Sequence, residues 1–140
     1  MFWRKNKMNE VINFLKENPI QYLATVGLDN KPKVRPVQFM TETNGKLYFC
    51  TSNEKPVYKE LKNLPDVELT TASPEFVWIR ITGKVNFTDD LKIKEKLINS
   101  SELVKGIYET PDNSTFEVFS IEGTAVIADF SGEPPKEYKI

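Results

Sequence analysis

The sequence predicts an α+β domain built on a closed antiparallel barrel of six strands, with helices plugging its ends. Three observations lead there. Six stretches rich in β-branched and aromatic residues recur along the 140 residues, mostly joined by short turns. An Asn44-Gly45 pair separates two of them, and a tight type I′ hairpin favours that dipeptide because both central positions need positive φ. Helical stripes interrupt the strand series, and such a series closes most simply as a barrel capped by the helices.

Each element has its own signal. Met8, Val11, Ile12 and Leu15 fall at i, i+3, i+4 and i+7, the stripe of an amphipathic helix. Asn18-Pro19 ends it, because proline disfavours helical geometry in the residue before it. Residues 20–26 read as a first strand, and Gly27 to Pro32 supply turn chemistry. Residues 33–41 alternate as a second strand, and residues 46–51 follow the Asn-Gly turn as a third. Residues 54–64 form a short helix with Val57, Leu61 and Leu64 on one side, closed by Leu64-Pro65-Asp66. Residues 67–71 make a fourth strand. The fifth has the cleanest alternation, with Val77, Ile79, Ile81, Gly83, Val85 and Phe87 on one face and Trp78, Arg80, Thr82, Lys84 and Asn86 on the other. Asp89-Asp90 starts a helix over 91–98, since acidic groups suit the positive end of its dipole. Residues 108–115 read as a loop, residues 116–128 as the sixth strand, and the tail from Asp129 as polar, with Pro134-Pro135.

Composition narrows the chemistry. Nineteen basic and twenty acidic residues leave a net charge of −1, which gives no general attraction to nucleic acid or an acidic membrane. Cys50 is the single cysteine, so no intrachain disulfide and no multi-cysteine metal site can form. The absence of histidine removes the commonest general base, the commonest zinc ligand and every Ser-His or Cys-His pair. Any catalysis therefore points to a bound cofactor carrying the chemistry. No apolar run approaches the roughly 20 residues of a membrane helix. The basic stretch 1–7 has no apolar segment behind it and does not read as a signal peptide, so a cytoplasmic protein is expected. Met8 is a second candidate start.

Three segments are candidates for a site. Arg35-Pro36-Val37-Gln38-Phe39 puts a proline inside a strand, which marks an edge or bulge where backbone groups can face a ligand. Protection of the sheet edge explains it equally well. Cys50-Thr51-Ser52-Asn53-Glu54-Lys55 gathers hydroxyls, an amide and a cation at a strand-to-helix junction, a set suited to an anion. Capping of the helix by Ser52 or Asn53 is the simpler account. Arg35 near this junction would favour a monoester phosphate, since a guanidinium binds two oxygens at once. Trp78 and Arg80, opposite the apolar set of the fifth strand, suit an interface, a planar ligand or a packed cation–π pair. Cys50 itself, between β-formers, reads as a small buried hydrophobe.

The order Tyr22-Leu23-Ala24-Thr25-Val26, Pro32, Arg35-Pro36-Val37, Gly45-Lys46-Leu47-Tyr48-Phe49, Thr51-Ser52, Leu61, Pro65, Val67 and Trp78-Ile79-Arg80-Ile81-Thr82-Gly83 resembles the pyridoxamine 5′-phosphate oxidase-like proteins. The likeness spans about residues 8–128, continues through Phe116-Glu117-Val118-Phe119, and is nearest to short bacterial members. The resemblance implies one split-barrel domain over 1–140 that binds flavin mononucleotide (FMN) at a two-fold homodimer interface. By position, Arg35, Pro36, Val37 and Gln38 would line the flavin. Thr51, Ser52 and Asn53 would follow the ribityl chain and phosphate, next to Cys50. Trp78 and Arg80 would lie near the interface, and Phe116 would approach from the partner chain. Larger members carry Ser-x-Lys before the helix. Here the matching positions hold Lys55 and Val57, which shifts the phosphate cation to Lys55, with Lys59 as helper. The full-length vitamin enzymes have a longer, histidine-bearing C-terminal region, so true pyridoxamine phosphate oxidation is not expected here. The expected function is an FMN-dependent oxidoreductase using a small-molecule donor or substrate; no side chain obviously serves as acid or base, and Tyr48, Tyr58 and Arg80 are candidates only if the fold places them near the ring. A non-catalytic flavin store or sensor is the alternative. A haem-binding split barrel ranks lower, because the usual axial histidine is missing.

Overall fold

The computed structural model describes residues 2–140, with side chains from Met8 onward, so the side chains of the basic stretch 1–7 lie outside the described residues. In chain order the elements are α1 (Phe2–Glu17), β1 (Gln21–Val26), β2 (Pro32–Val37), β3 (Thr41–Thr43), β4 (Lys46–Ser52), α2 (Pro56–Asn63), β5 (Asp66–Ala72), β6 (Trp78–Thr88), α3 (Leu91–Ser100), α4 (Glu102–Tyr108), β7 (Phe116–Ala128) and β8 (Lys136–Lys139). Every strand pair is antiparallel. The sheet runs β2-β1-β5-β6-β7-β4-β3, with β8 added beside β7.

The α+β antiparallel architecture is the one the pattern predicts, with eight strands among the described residues in place of six. The second predicted strand is two short ones. β2 and β3 are consecutive in the chain yet lie at opposite edges of the sheet, so residues 38–40 must cross between the edges and cannot belong to a ladder. That crossing closes the barrel by a chain segment, and it is held by Phe39 N–H donating to the buried Gln21 Oε1 (2.6 Å) and Met40 N–H donating to Tyr48 O (2.9 Å). The other addition is β8. The tail turns polar after Asp129 as expected, then residues 136–139 pair with residues 124–127 of β7. Tyr138 is buried there, and its hydroxyl bonds Glu10 of α1. Helix α4 also goes beyond the predicted elements.

Alternation fixes which face each strand buries. Leu23, Leu69, Ile79, Ile81, Phe49, Phe119 and Ile121 fill the barrel. Val11 and Leu15 of α1 and Val57 and Leu61 of α2 join this cluster, so both helices act as plugs. Tyr48, Phe116 and Val118, on the opposite face of β4 and β7, pack under Leu97, Ile98, Val104 and Tyr108 of α3 and α4. Each fully buried aliphatic or phenylalanine side chain contributes about 1.5–3 kcal/mol relative to exposure. At the Asn44-Gly45 turn both residues have positive φ (53° and 79°), as the hairpin requires. Asp90 caps α3 by accepting from Lys92 N–H (2.9 Å). Gly83 and Gly123 face each other across β6 and β7, where a Cβ on either would run into the opposing backbone.

Candidate functional site

Helix α2 organises the site, because β4 leads into it on one side and β1 with β2 flank it on the other. At the β4 end, Ser52 Oγ accepts from Glu54 N–H (3.2 Å) within the turn. Asn53 is turned away from the helix, with its side-chain amide donating to Ser114 O (2.7 Å) and Glu117 Oε2 (2.9 Å). The residue at the helix cap is Lys55, which makes no side-chain capping bond, and Pro56 follows it at the first helical position. The simple capping account of Ser52 and Asn53 therefore fails. The positive end of α2 is left without a side-chain acceptor, and the exposed Lys55 stands beside it.

Farther along α2, Arg35 projects toward Glu60 from edge strand β2. Its position opposite Leu23 puts it on the barrel face of the sheet. Arg35 Nη1 donates to Thr25 Oγ1 (2.7 Å) and Leu23 O (3.3 Å), and Nη2 donates to Glu60 Oε1 (2.6 Å). Thr25 Oγ1 in turn donates to Glu60 Oε1 (2.7 Å). The Glu60 side chain is 8% exposed and that of Arg35 23%. Between the β1–β2 turn and the start of α2 runs an open groove of ≈ 380 Å³, where Lys33 and Lys59 face Asp29, Glu54 and Glu60. With three carboxylates against two cations, the groove attracts anions only through particular donors, not through net charge.

The structure gathers some of the sequence candidates and separates others. Arg35 meets α2 at Glu60, and the Thr51-to-Lys55 junction meets it at its start. Within β4, Thr51 is buried on the barrel face, whereas Cys50 and Ser52 share the face covered by α3 and α4. Burial pushes the Cys50 thiol up to about 11, opposed by the charge of Lys55, which leaves the sulfur protonated and inert at neutral pH. Burial also raises Tyr108, with Cys50 adding to the effect. Pro36 and Gln38 are exposed, and Val37 packs against the barrel core. Trp78 and Arg80 lie apart from α2, on the outer face of β6, where no packed pair under a helix forms among the described residues. Trp78 packs instead against Phe130 (centroids 4.8 Å), and Arg80 is exposed opposite Thr70 and Val126.

The expectation for Phe116 needs correction. Its side chain is 0% exposed, packed on Tyr108 (4.6 Å) within its own chain, so it has no surface to offer a ligand. Tyr48 is buried in the same cluster, and Tyr58 packs edge-on to Phe87 (5.2 Å). Glu60 and Thr25 escaped the sequence reading. The available signal was an acid on the apolar face of α2, between Val57 and Leu61, which calls for a buried cationic partner.

A family model described as pyridoxamine 5′-phosphate oxidase matches residues 8–128. No curated protein sequence matches the chain. Among solved structures, a NimC/NimA family protein from Clostridium acetobutylicum is 32% identical, with a TM-score of 0.86 over 95% of this chain and 92% of that one. A pyridoxamine 5′-phosphate oxidase-related, FMN-binding protein from Nostoc punctiforme is 15% identical, with a TM-score of 0.68 over 91% and 86%. A heme-binding protein from Mycobacterium smegmatis, also 15% identical with a TM-score of 0.68, is covered over 53% of its length by 87% of this chain. The last two likenesses concern the fold alone.

Proposed function

The chain belongs to the pyridoxamine 5′-phosphate oxidase family, and from that membership we propose that it is an FMN-binding flavoprotein, a homodimer acting as an oxidoreductase on a small molecule. The observation that carries the proposal is the open start of α2, with Lys55 at the cap and no side chain bonded to the helix end. A phosphate group fits such an end through the helix dipole and the Val57 N–H, since Pro56 carries no N–H and Tyr58 N–H already donates to Lys55 O (3.1 Å). Lys55 supplies the charge there, and Ser52 lies in the turn that leads to it. Arg35 approaches the same helix from β2 and adds a guanidinium. Pro36, Val37 and Gln38 stand at the sheet edge where the barrel is split, the side from which a flat ring would be bordered by backbone. Bound FMN supplies hydride or electron transfer; the side chains named here bind and orient it.

The dimer reading rests on the outer face of the sheet. Tyr22, Thr70, Arg80 and Val126 form one row across four strands, with Pro36 at its edge. Tyr22 (50% exposed), Val34 (68%) and Phe130 (81%) leave apolar surface there with no covering element among the described residues. A haem reading finds less support: histidine is absent, and the Cys50 thiol is held protonated.

The test is the visible absorption spectrum of the purified protein, before and after adding FMN and filtering. Flavin bands that stay with the protein support the proposal, and turnover with NADH or NADPH separates an oxidoreductase from a flavin store. A colourless protein that fails to retain added FMN would refute it, and a haem-type band would replace it.

A further inference from the structure

Arginine carries five N–H donors in a rigid plane. In Arg35 three of them are donated within the chain, both from Nη1 and one from Nη2. The acceptors of one Nη1 bond and of the Nη2 bond, Thr25 Oγ1 and Glu60 Oε1, are hydrogen-bonded to each other, so both lie against the end of the guanidinium. The two donors left over, Nε–H and the second Nη2–H, share the remaining edge. An edge of that kind binds two oxygens of one phosphate or carboxylate. The side chain keeps 23% of its surface exposed, while the carboxylate behind it keeps 8%.

We infer that Glu60 is the positioning residue of the anion site: its buried carboxylate, steadied by Thr25, turns Arg35 so that the Nε–Nη2 edge is left for the cofactor phosphate. This rests on the FMN reading above and names what gives that site its direction. Glu60 also cancels much of the guanidinium charge, so its contribution is orientation gained against attraction lost. A purely structural ion pair would tie α2 to β1 and β2 and make no difference between phosphorylated and unphosphorylated ligands.

The experiment compares FMN with riboflavin, which differs only by the phosphate, on the full chain and on Glu60→Gln. Flavin fluorescence quenching gives both dissociation constants, and thermal melting follows stability. The expected result is that the variant loses about tenfold in its preference for FMN over riboflavin, with riboflavin affinity unchanged. Thr25→Val, which keeps both charges, shifts the preference in the same direction by less and serves where Glu60→Gln does not fold. Equal weakening of both ligands, or tighter FMN binding by Glu60→Gln, overturns the inference and leaves the FMN reading standing. A wild-type protein that retains neither flavin overturns both.

Discussion

Lys55 stands where the open end of α2 and the exposed surface meet, so its charge is the most direct residue-scale test of the anion site. Lys55→Ala is expected to raise the FMN dissociation constant about tenfold, with little change in folding stability because the side chain is exposed. An unchanged flavin titration would remove Lys55 from the site. A second residue-scale prediction concerns alkaline pH. Burial raises the Cys50 thiol from 9.0 to about 11, so the folded chain keeps a proton that the unfolded chain loses. The resulting stabilisation is complete below pH 9 and is lost as pH climbs through 11. Its size is on the order of 3 kcal/mol. Tyr108 and Tyr138, also raised, carry the loss to higher pH. The urea midpoint should therefore fall between pH 9 and 11, and less steeply in Cys50→Ala. What the sequence conveyed at this scale was local: Pro36 marked an edge, and Ser52 to Lys55 marked a junction. The Arg35–Glu60 pair was not legible, because its members are 25 residues apart and only the fold brings them together.

At the scale of elements, β6 and β7 carry the tightest constraint. The two facing glycines let their backbones approach as side chains would not, and a methyl at Gly123 would meet the Thr82 carbonyl. Gly123→Ala should cost about 1–3 kcal/mol or more, seen as a lower urea midpoint with an unchanged slope. A midpoint equal to wild type would mean that the strands separate freely there. The fifth predicted strand was readable because its alternation runs over 11 residues with one face buried. Shorter elements lacked that redundancy. β3 has three residues, and β8 has four with Tyr138 alone buried. Helix α4 holds seven residues, Gly106 among them, and buries only Val104 and Tyr108. Its capping is nevertheless conventional, with Ser101 Oγ accepting from Val104 N–H (3.2 Å).

At the scale of the whole molecule, the apolar outer face of β1, β2 and β6 is the property to test. Sedimentation at micromolar concentration should show a dimer, and Tyr22→Asp or Trp78→Asp should shift it toward monomer and lower flavin retention together. A wild-type monomer that still holds flavin would separate cofactor binding from assembly. The barrel class was legible from strand number and turn chemistry, but the edge-to-edge crossing at residues 38–40 was not, since only the sheet order reveals it. That sheet order has a consequence for how the chain reaches its native state. β7 joins β6 on one side to β4 and β8 on the other, and its residues 116–128 follow both β4 and β6 in the chain. Until those residues leave the ribosome, β6 and β4 are left with open hydrogen-bonding edges and no template between them. A nascent chain of this kind is exposed to edge-to-edge association until β7 emerges. Its refolding should belong to the slow class of non-local β topologies, in about milliseconds to seconds, with the rate set by the arrival of one late strand.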